Sequence, residues 1–214
     1  MTSVSTFRPV VILAAVGLVA ALILAGLDRI TRDRITLEQD RRALAALTQV
    51  LPATSFNNEL LGDWIDITIA GLERPARVYR ARLDGQPTAL VVDLTTSRGY
   101  SGDIRLLVAV ATDATVIAVR VLEHRETPGL GDRIEERRSD WIRQFRNRRL
   151  GDPAPEQWAP DRRGGDFDTM TNATITASAV IDAVRLALEA VEAEGDGLWV
   201  QRPGSKLREN TQNL

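Results

Sequence analysis

The hydrophobic pattern changes period three times along the chain. Residues 9–27 are nineteen successive positions without a charged or strongly polar side chain. A helix of that length covers about 28 Å, close to the ~30 Å hydrocarbon thickness of a bilayer, so the pattern predicts a single membrane-spanning helix. A cleaved signal peptide is the rival reading, with Arg8 as its basic flank. The run is longer than the usual ~7–15-residue apolar core of such peptides and no A-x-A site follows it, which favours an uncleaved anchor. From residue 28 to 51 the apolar positions thin to one stripe, Ile30, Leu37, Leu44, Leu47 and Leu51, with Arg34, Glu38, Arg41 and Arg42 among the polar positions. This predicts a helix leaving the membrane, ended by Pro52.

The period then falls to two. Strands are expected at residues 64–69, 76–83, 88–94, 104–111 and 115–122, with Gly85-Gln86-Pro87 and Thr112-Asp113-Ala114 as turns. Such a series predicts an antiparallel meander with helices added afterwards, an α+β fold. Residues 133–149 read as partly helical through Ile134, Trp141, Ile142 and Phe145, and residues 150–165, with three prolines and a Gly-Gly pair, as a connection without periodicity. Helical spacing returns at Ala177, Val180, Ile181, Val184, Ala187, Leu188 and Val191, a core-packed helix. The chain from Gly195 onward is polar, and no structure is expected after Trp199-Val200. The divisions are therefore 1–27 with the span at about 9–27, a juxtamembrane helix and connection over 28–60, an α+β domain over 61–194, and a tail over 195–214.

Composition removes several chemistries. There is no cysteine and one histidine, His124, which excludes disulfides, Cys-ligated iron–sulfur clusters and C-x-x-C-H haem attachment, and leaves zinc without its preferred ligands. No metal site is expected. The 27 basic and 29 acidic residues are interspersed, so nucleic acid is not an expected partner. A redox group on this chain would be organic.

Against that background the segment D-T-M-T-N-A-T-I-T, residues 168–176, concentrates hydroxyls at a helix start. Backbone N–H groups without intrahelical partners gather there, which suits a phosphate; a plain N-cap cluster is the competing explanation. A second unusual segment is the loop H-R-E-T-P-G-L-G-D, residues 124–132, whose glycines and proline allow backbone close to a ligand and also suit an ordinary turn.

D-T-M-T-N-A-T resembles the flavinylation motif D-x-x-[S/T]-G-A-T of the FMN-binding domain family. Gly99-Tyr100-Ser101-Gly102, the E-T-P-G-L-G core of the 124–131 loop and Ser139-Asp140-Trp141 extend the match. Over essentially the whole chain, anchor included, the pattern is similar to the G subunits of Rnf electron transport complexes. The resemblance implies FMN attached through a phosphoester to Thr174, with Asp168, Thr171 and Ala173 completing the motif and Thr176 at the helix start beside it. Glu126, Thr127, Gly129, Leu130 and Gly131 are implied near the flavin. Asn172 stands where the family has glycine, and asparagine is the next most tolerant residue of left-handed backbone.

A threonine hydroxyl needs an activating base or metal. The resemblance supplies one in an external Mg-dependent flavin transferase that uses FAD and acts outside the cytoplasm. The implied protein is a membrane-anchored electron-transfer subunit of an ion-translocating ferredoxin:NAD oxidoreductase, not an independent enzyme. It sits among other subunits in a bacterial inner membrane, with its flavin domain periplasmic. Charge opposes that placement: Arg29, Arg32 and Arg34 follow the span and only Arg8 precedes it, although long domains are translocated despite such charges. Two alternatives remain open at this stage, the C subunit of a sodium-pumping NADH:quinone reductase and an extracytoplasmic sensing or scaffold domain without flavin.

Overall fold

The computed structural model describes residues 7–207, with side chains from residue 10 to 26 and from 37 onward. Two compact units divide between Ala43 and Leu44. The first consists of most of helix α1 (Phe7–Val50), which joins the expected span and juxtamembrane helix into one element. Its apolar side chains are exposed, Leu13 at 75% and Leu24 at 67%. Among the described residues no helix is long and apolar enough to cross a membrane. The expected span at about 9–27 reaches past the described side chains at both ends, and those of residues 10–26 cover only about 25 Å of helix, short of the ~30 Å a bilayer core needs. Arg8, Arg29, Arg32 and Arg34, the charges that bear on topology, also lie outside the described side chains.

The second unit is built on a sheet whose strands lie in the order β5 (Val116–Glu123), β4 (Ile104–Ala111), β3 (Gln86–Thr96), β2 (Ala76–Leu83), β1 (Trp64–Ile67) and β6 (Lys206–Leu207). Strands β1 to β5 form the expected antiparallel meander. One hairpin turn shifts. The β2–β3 connection is Asp84-Gly85 with φ of 51° and 78°, and Gln86 and Pro87 already belong to β3. Such positive-φ pairs match the twist of a two-residue hairpin, and the proline is tolerated beside the irregular register at Ala81/Arg82.

Alternation along β3 sends Leu90, Val92 and Leu94 to one face and Ala89 and Val91 to the other. The first face packs under helix α2 (Thr174–Glu194), whose Ala177, Val180, Ile181, Val184 and Leu188 are fully buried. The second is covered by Leu47 and Val50 at the end of α1 and by Leu51 just after it, packed against Tyr79, Val91 and Leu107. Each buried leucine contributes about 1.5–3 kcal/mol, so the two layers are what fix the sheet.

Between β5 and α2 no α-helix forms. Gly131–Ile134 and Asp140–Phe145 are 3-10 turns that bury Ile134, Trp141, Ile142 and Phe145. The apolar residues of 133–149 are spaced too irregularly to line one face of a helix, and tight turns bury them instead. Phe145 stacks on Phe167 with centroids 5.0 Å apart, which carries this layer into the approach to α2.

The segment after α2 is more ordered than its polarity suggests. Helix α3 (Gly197–Val200) follows, and β6 (Lys206–Leu207) pairs parallel to β1. The tie is Arg80 of β2, 1% exposed, which donates to the carbonyls of Leu198 and Gln201 at 3.1 and 2.8 Å and to Asp63 at 2.6 Å. Backbone carbonyls held by a distant arginine leave no mark in local periodicity. Residues 208–214 of the tail lie outside the described residues.

Candidate functional site

The chain enters α2 through a left-handed residue. Asn172 has φ of 63°, so the position that departs from the motif glycine adopts the backbone that glycine would favour. The turn makes Ala173 the N-cap, Thr174 the first helical residue and Thr176 the third. An alanine offers no side-chain oxygen to cap the helix. Intrahelical bonding begins only where the Ala177 N–H reaches the Ala173 carbonyl at 3.0 Å, so the N–H groups of residues 174–176 are without intrahelical partners. The threonines therefore do not form an N-cap cluster.

The same turn lines a cavity of about 550 Å³, with Tyr100, Glu126, Thr127, Leu130, Gly131, Asn172, Ala173, Thr174, Ile175 and Thr176 around it. Thr174 is half-buried at its edge. Tyr100, Leu130 and Ile175 are exposed at 68%, 38% and 50% and give it an apolar rim. The opposite end is polar and closed. Glu126, 4% exposed, accepts the Thr176 hydroxyl on one carboxylate oxygen and the Ser101 N–H on the other at 3.0 Å. One carboxylate thus joins the 99–102 loop, the 126–131 loop and the first turn of α2.

The glycines around Glu126 are dictated by this contact. A Cβ on Gly131 would stand 2.8 Å from Glu126 Cβ, and one on Gly99 would stand 2.8 Å from Glu126 Oε1 and 2.3 Å from the Gly102 carbonyl. The loop is closed by Thr127, whose carbonyl accepts the N–H groups of Leu130 and Gly131 at 3.1 and 3.0 Å. Gly129 has φ of 79° and donates its N–H to Asp132 at 2.8 Å, away from the cavity lining.

Of the expected site residues, the fold brings Thr174, Ala173, Thr176, Glu126, Thr127, Leu130 and Gly131 to one cavity. Gly129 shapes the loop from behind. Asp168 and Thr171 line a separate concavity of about 400 Å³, shared with Arg133, Asp140 and Trp141. There the Trp141 indole N–H donates to the Asp168 carbonyl at 2.6 Å and the Asp168 N–H to Gln144 Oε1 at 2.7 Å. Thr169 is held by Asp161. Tyr100 and Ile175 also line the cavity without being among the expected site residues; the Gly99-Tyr100-Ser101-Gly102 stretch of the family match was the available signal for Tyr100.

A cavity of this volume is within the usual range for cofactor sites. Its donors and rim fit FMN: free N–H groups beside Thr174 suit a phosphate, and the apolar rim suits a flat ring. A larger concavity of about 1160 Å³ is lined by Arg105, Arg120, His124 and Glu135 among others. Its arginines are largely ion-paired, Arg105 with Asp93 and Arg120 with Glu136, and it offers no comparable apolar seat.

Comparison with known proteins bears on the same segments. The FMN-binding domain family matches residues 99–189, from the Gly99 loop through most of α2. The G subunit of the ion-translocating oxidoreductase complex of Pseudomonas aeruginosa is 38% identical over 197 residues, 91% of this chain and 92% of the relative. The chain belongs to this G-subunit family. The G subunit of Cereibacter sphaeroides is 44% identical over 177 residues, 83% of this chain and 80% of its own length. That of Escherichia coli is 42% identical over 164 residues, 76% and 80%. Neither the C subunit of the quinone reductase nor the flavin-free scaffold is favoured by these relatives.

Proposed function

We propose that this chain is the flavin-bearing G subunit of an ion-translocating oxidoreductase complex, and that FMN is joined through its phosphate to the Thr174 hydroxyl oxygen. The observation that carries the proposal is a helix N-terminus capped by alanine, its first N–H groups without intrahelical partners, whose first-turn residues, Thr174 among them, line a cavity. Those N–H groups would hold the phosphate, and Tyr100, Leu130 and Ile175 would exclude water from one face of the ring. Glu126 would fix the polar end. The bound flavin supplies one- and two-electron redox chemistry, while the protein positions it and tunes its surroundings.

Attachment forms an oxygen–phosphorus bond at Thr174 and, with FAD as donor, breaks the pyrophosphate bond so that AMP leaves. The carboxylate nearest the site, Glu126, is committed to Thr176 and Ser101. Activation of the hydroxyl is therefore assigned to an external transferase, which would read Asp168 and Thr171 on their own concavity. The apolar first half of α1 would anchor the protein in the inner membrane, with the flavin domain periplasmic. Electrons would pass through it between other subunits of a complex linking ferredoxin and NAD.

Intact-mass measurement of the chain coexpressed with an active flavin transferase tests the attachment. One added FMN is expected, absent in Thr174→Val. An unmodified parent chain, or a variant that still carries flavin, would overturn it.

A further inference from the structure

His124 follows the end of β5, where it lines the large charged concavity. Two residues along the chain, Glu126 lines the smaller cavity at Thr174. The side chain of His124 makes one bond in each direction. Its Nδ1 accepts the Glu126 backbone N–H at 3.1 Å, and its Nε2 lies 2.8 Å from Glu135 Oε1. A backbone N–H can only donate, so Nδ1 must be the bare nitrogen and Nε2 the protonated one, donating to Glu135. Glu126 continues the line: its carboxylate ties Thr176 to the 99–102 loop.

We infer that His124 is the positioning residue of the Thr174 cavity: its bare Nδ1 holds Glu126 where the carboxylate can join α2 to the 99–102 loop, and protonation of Nδ1 releases that hold. The link to flavin rests on the Thr174 reading; the link to Glu126 does not.

The second proton turns Nδ1 into a donor facing another donor, and the Glu126 N–H loses its acceptor. The charges around the ring direct the loss to that side. Glu135, from the segment after the Gly131–Ile134 turn, faces Nε2 and is held below its ordinary carboxyl value first by the hydrogen bond from Arg137, with His124 adding and burial opposing. It therefore remains an anion that can accept from an imidazolium. Other charges lining the same concavity are engaged elsewhere: Arg105 of β4 with Asp93 and Glu123, Arg120 of β5 with Glu136, Arg74 with Asp103. Arg125, the next residue in the chain, is exposed, and α2 meets Glu126 through the Thr176 hydroxyl.

A sole histidine makes the test direct. The full-length chain in detergent, labelled for ¹⁵N nuclear magnetic resonance, is titrated with and without attached FMN, the latter as Thr174→Val. We expect the Nε2–H tautomer at the alkaline end. The Glu126 amide should then shift with the same midpoint as the imidazole, and its protection against hydrogen exchange, taken relative to the intrinsic exchange rate at each pH, should fall roughly tenfold on the acid side, the scale of one modest buried hydrogen bond. His124→Asn, which presents a non-titrating oxygen where Nδ1 stood, should protect the Glu126 amide at every pH. His124→Gln, which reaches toward Glu135 instead, should leave it unprotected at every pH.

An Nδ1–H tautomer, a Glu126 amide indifferent to the titration, or equal behaviour of the Asn and Gln variants would overturn the inference. In the flavinylated chain the flavin circular dichroism should follow the same midpoint, and a flat signal would overturn the link to the cavity. A parent chain that never acquires FMN would overturn the Thr174 reading, while coupled titration in the flavin-free arm would still support the role of His124.

Discussion

Asn172 occupies left-handed backbone at φ of 63°, a conformation that costs an ordinary L-residue roughly 1–2 kcal/mol and asparagine less. Replacing it with the glycine of the motif relieves the strain and adds freedom to the unfolded chain, two effects of opposite sign. Asn172→Gly is therefore expected to change stability by no more than about 0.5 kcal/mol. Asn172→Val is expected to lose at least about 1–2 kcal/mol, because a β-branched side chain tolerates that φ poorly. Urea denaturation of both variants decides; a valine variant as stable as the parent would mean that the turn relaxes to another conformation. This tolerance was legible in the sequence, as were the motif and the glycine-rich loop, because residue type alone restricts backbone. That Asp168 and Thr171 turn to a different concavity from Thr174 was not legible. The partition follows from the Trp141 and Gln144 bonds to Asp168, contacts made from 24 or more positions away.

At the scale of elements, the 3-10 turns between β5 and α2 carry ion pairs beside the apolar residues that they bury. Glu135 and Glu136 both sit below the ordinary value of 4.5. For Glu135 the foremost cause is Arg137, for Glu136 it is Arg143, with Arg120 of β5 adding. A depressed folded-state value means that the unfolded chain binds the proton more tightly. The stability these groups contribute is complete above the ordinary value and drains as pH falls below 4.5 toward the depressed ones. The Glu135→Gln/Glu136→Gln double variant should be less stable than the parent at neutral pH and lose less on acidification through that window. Parallel urea midpoints against pH would contradict this.

The strands and α2 were readable because each buries a regular face. The partly helical reading of 133–149 is met by 3-10 turns alone, because burial there follows aromatic packing across the chain and not one helical face.

At the scale of the whole chain, the two units give different truncations different outcomes. A chain beginning at residue 44 keeps Leu47, Val50 and Leu51 on the sheet and is expected to stay monomeric and folded without detergent. One beginning at residue 52 uncovers Tyr79, Val91 and Leu107, which these residues bury. At about 1.5–3 kcal/mol for each lost large side chain, it should unfold or aggregate. Size-exclusion chromatography with denaturation curves separates the two; a stable monomer from residue 52 would show that the α1 layer is dispensable.

Arg80 sets a condition on the order in which this domain can be completed. Its guanidinium, buried in the middle of the sheet, finds two of its backbone carbonyl partners only at Leu198 and Gln201. A chain emerging from a ribosome or threading through a translocation pore delivers β2 more than a hundred residues before those carbonyls. Until they arrive, closing the sheet over Arg80 would strand much of a charge's hydrogen-bonding capacity at a cost of several kcal/mol. The sheet is thus kept from locking until Leu198 and Gln201 have been delivered.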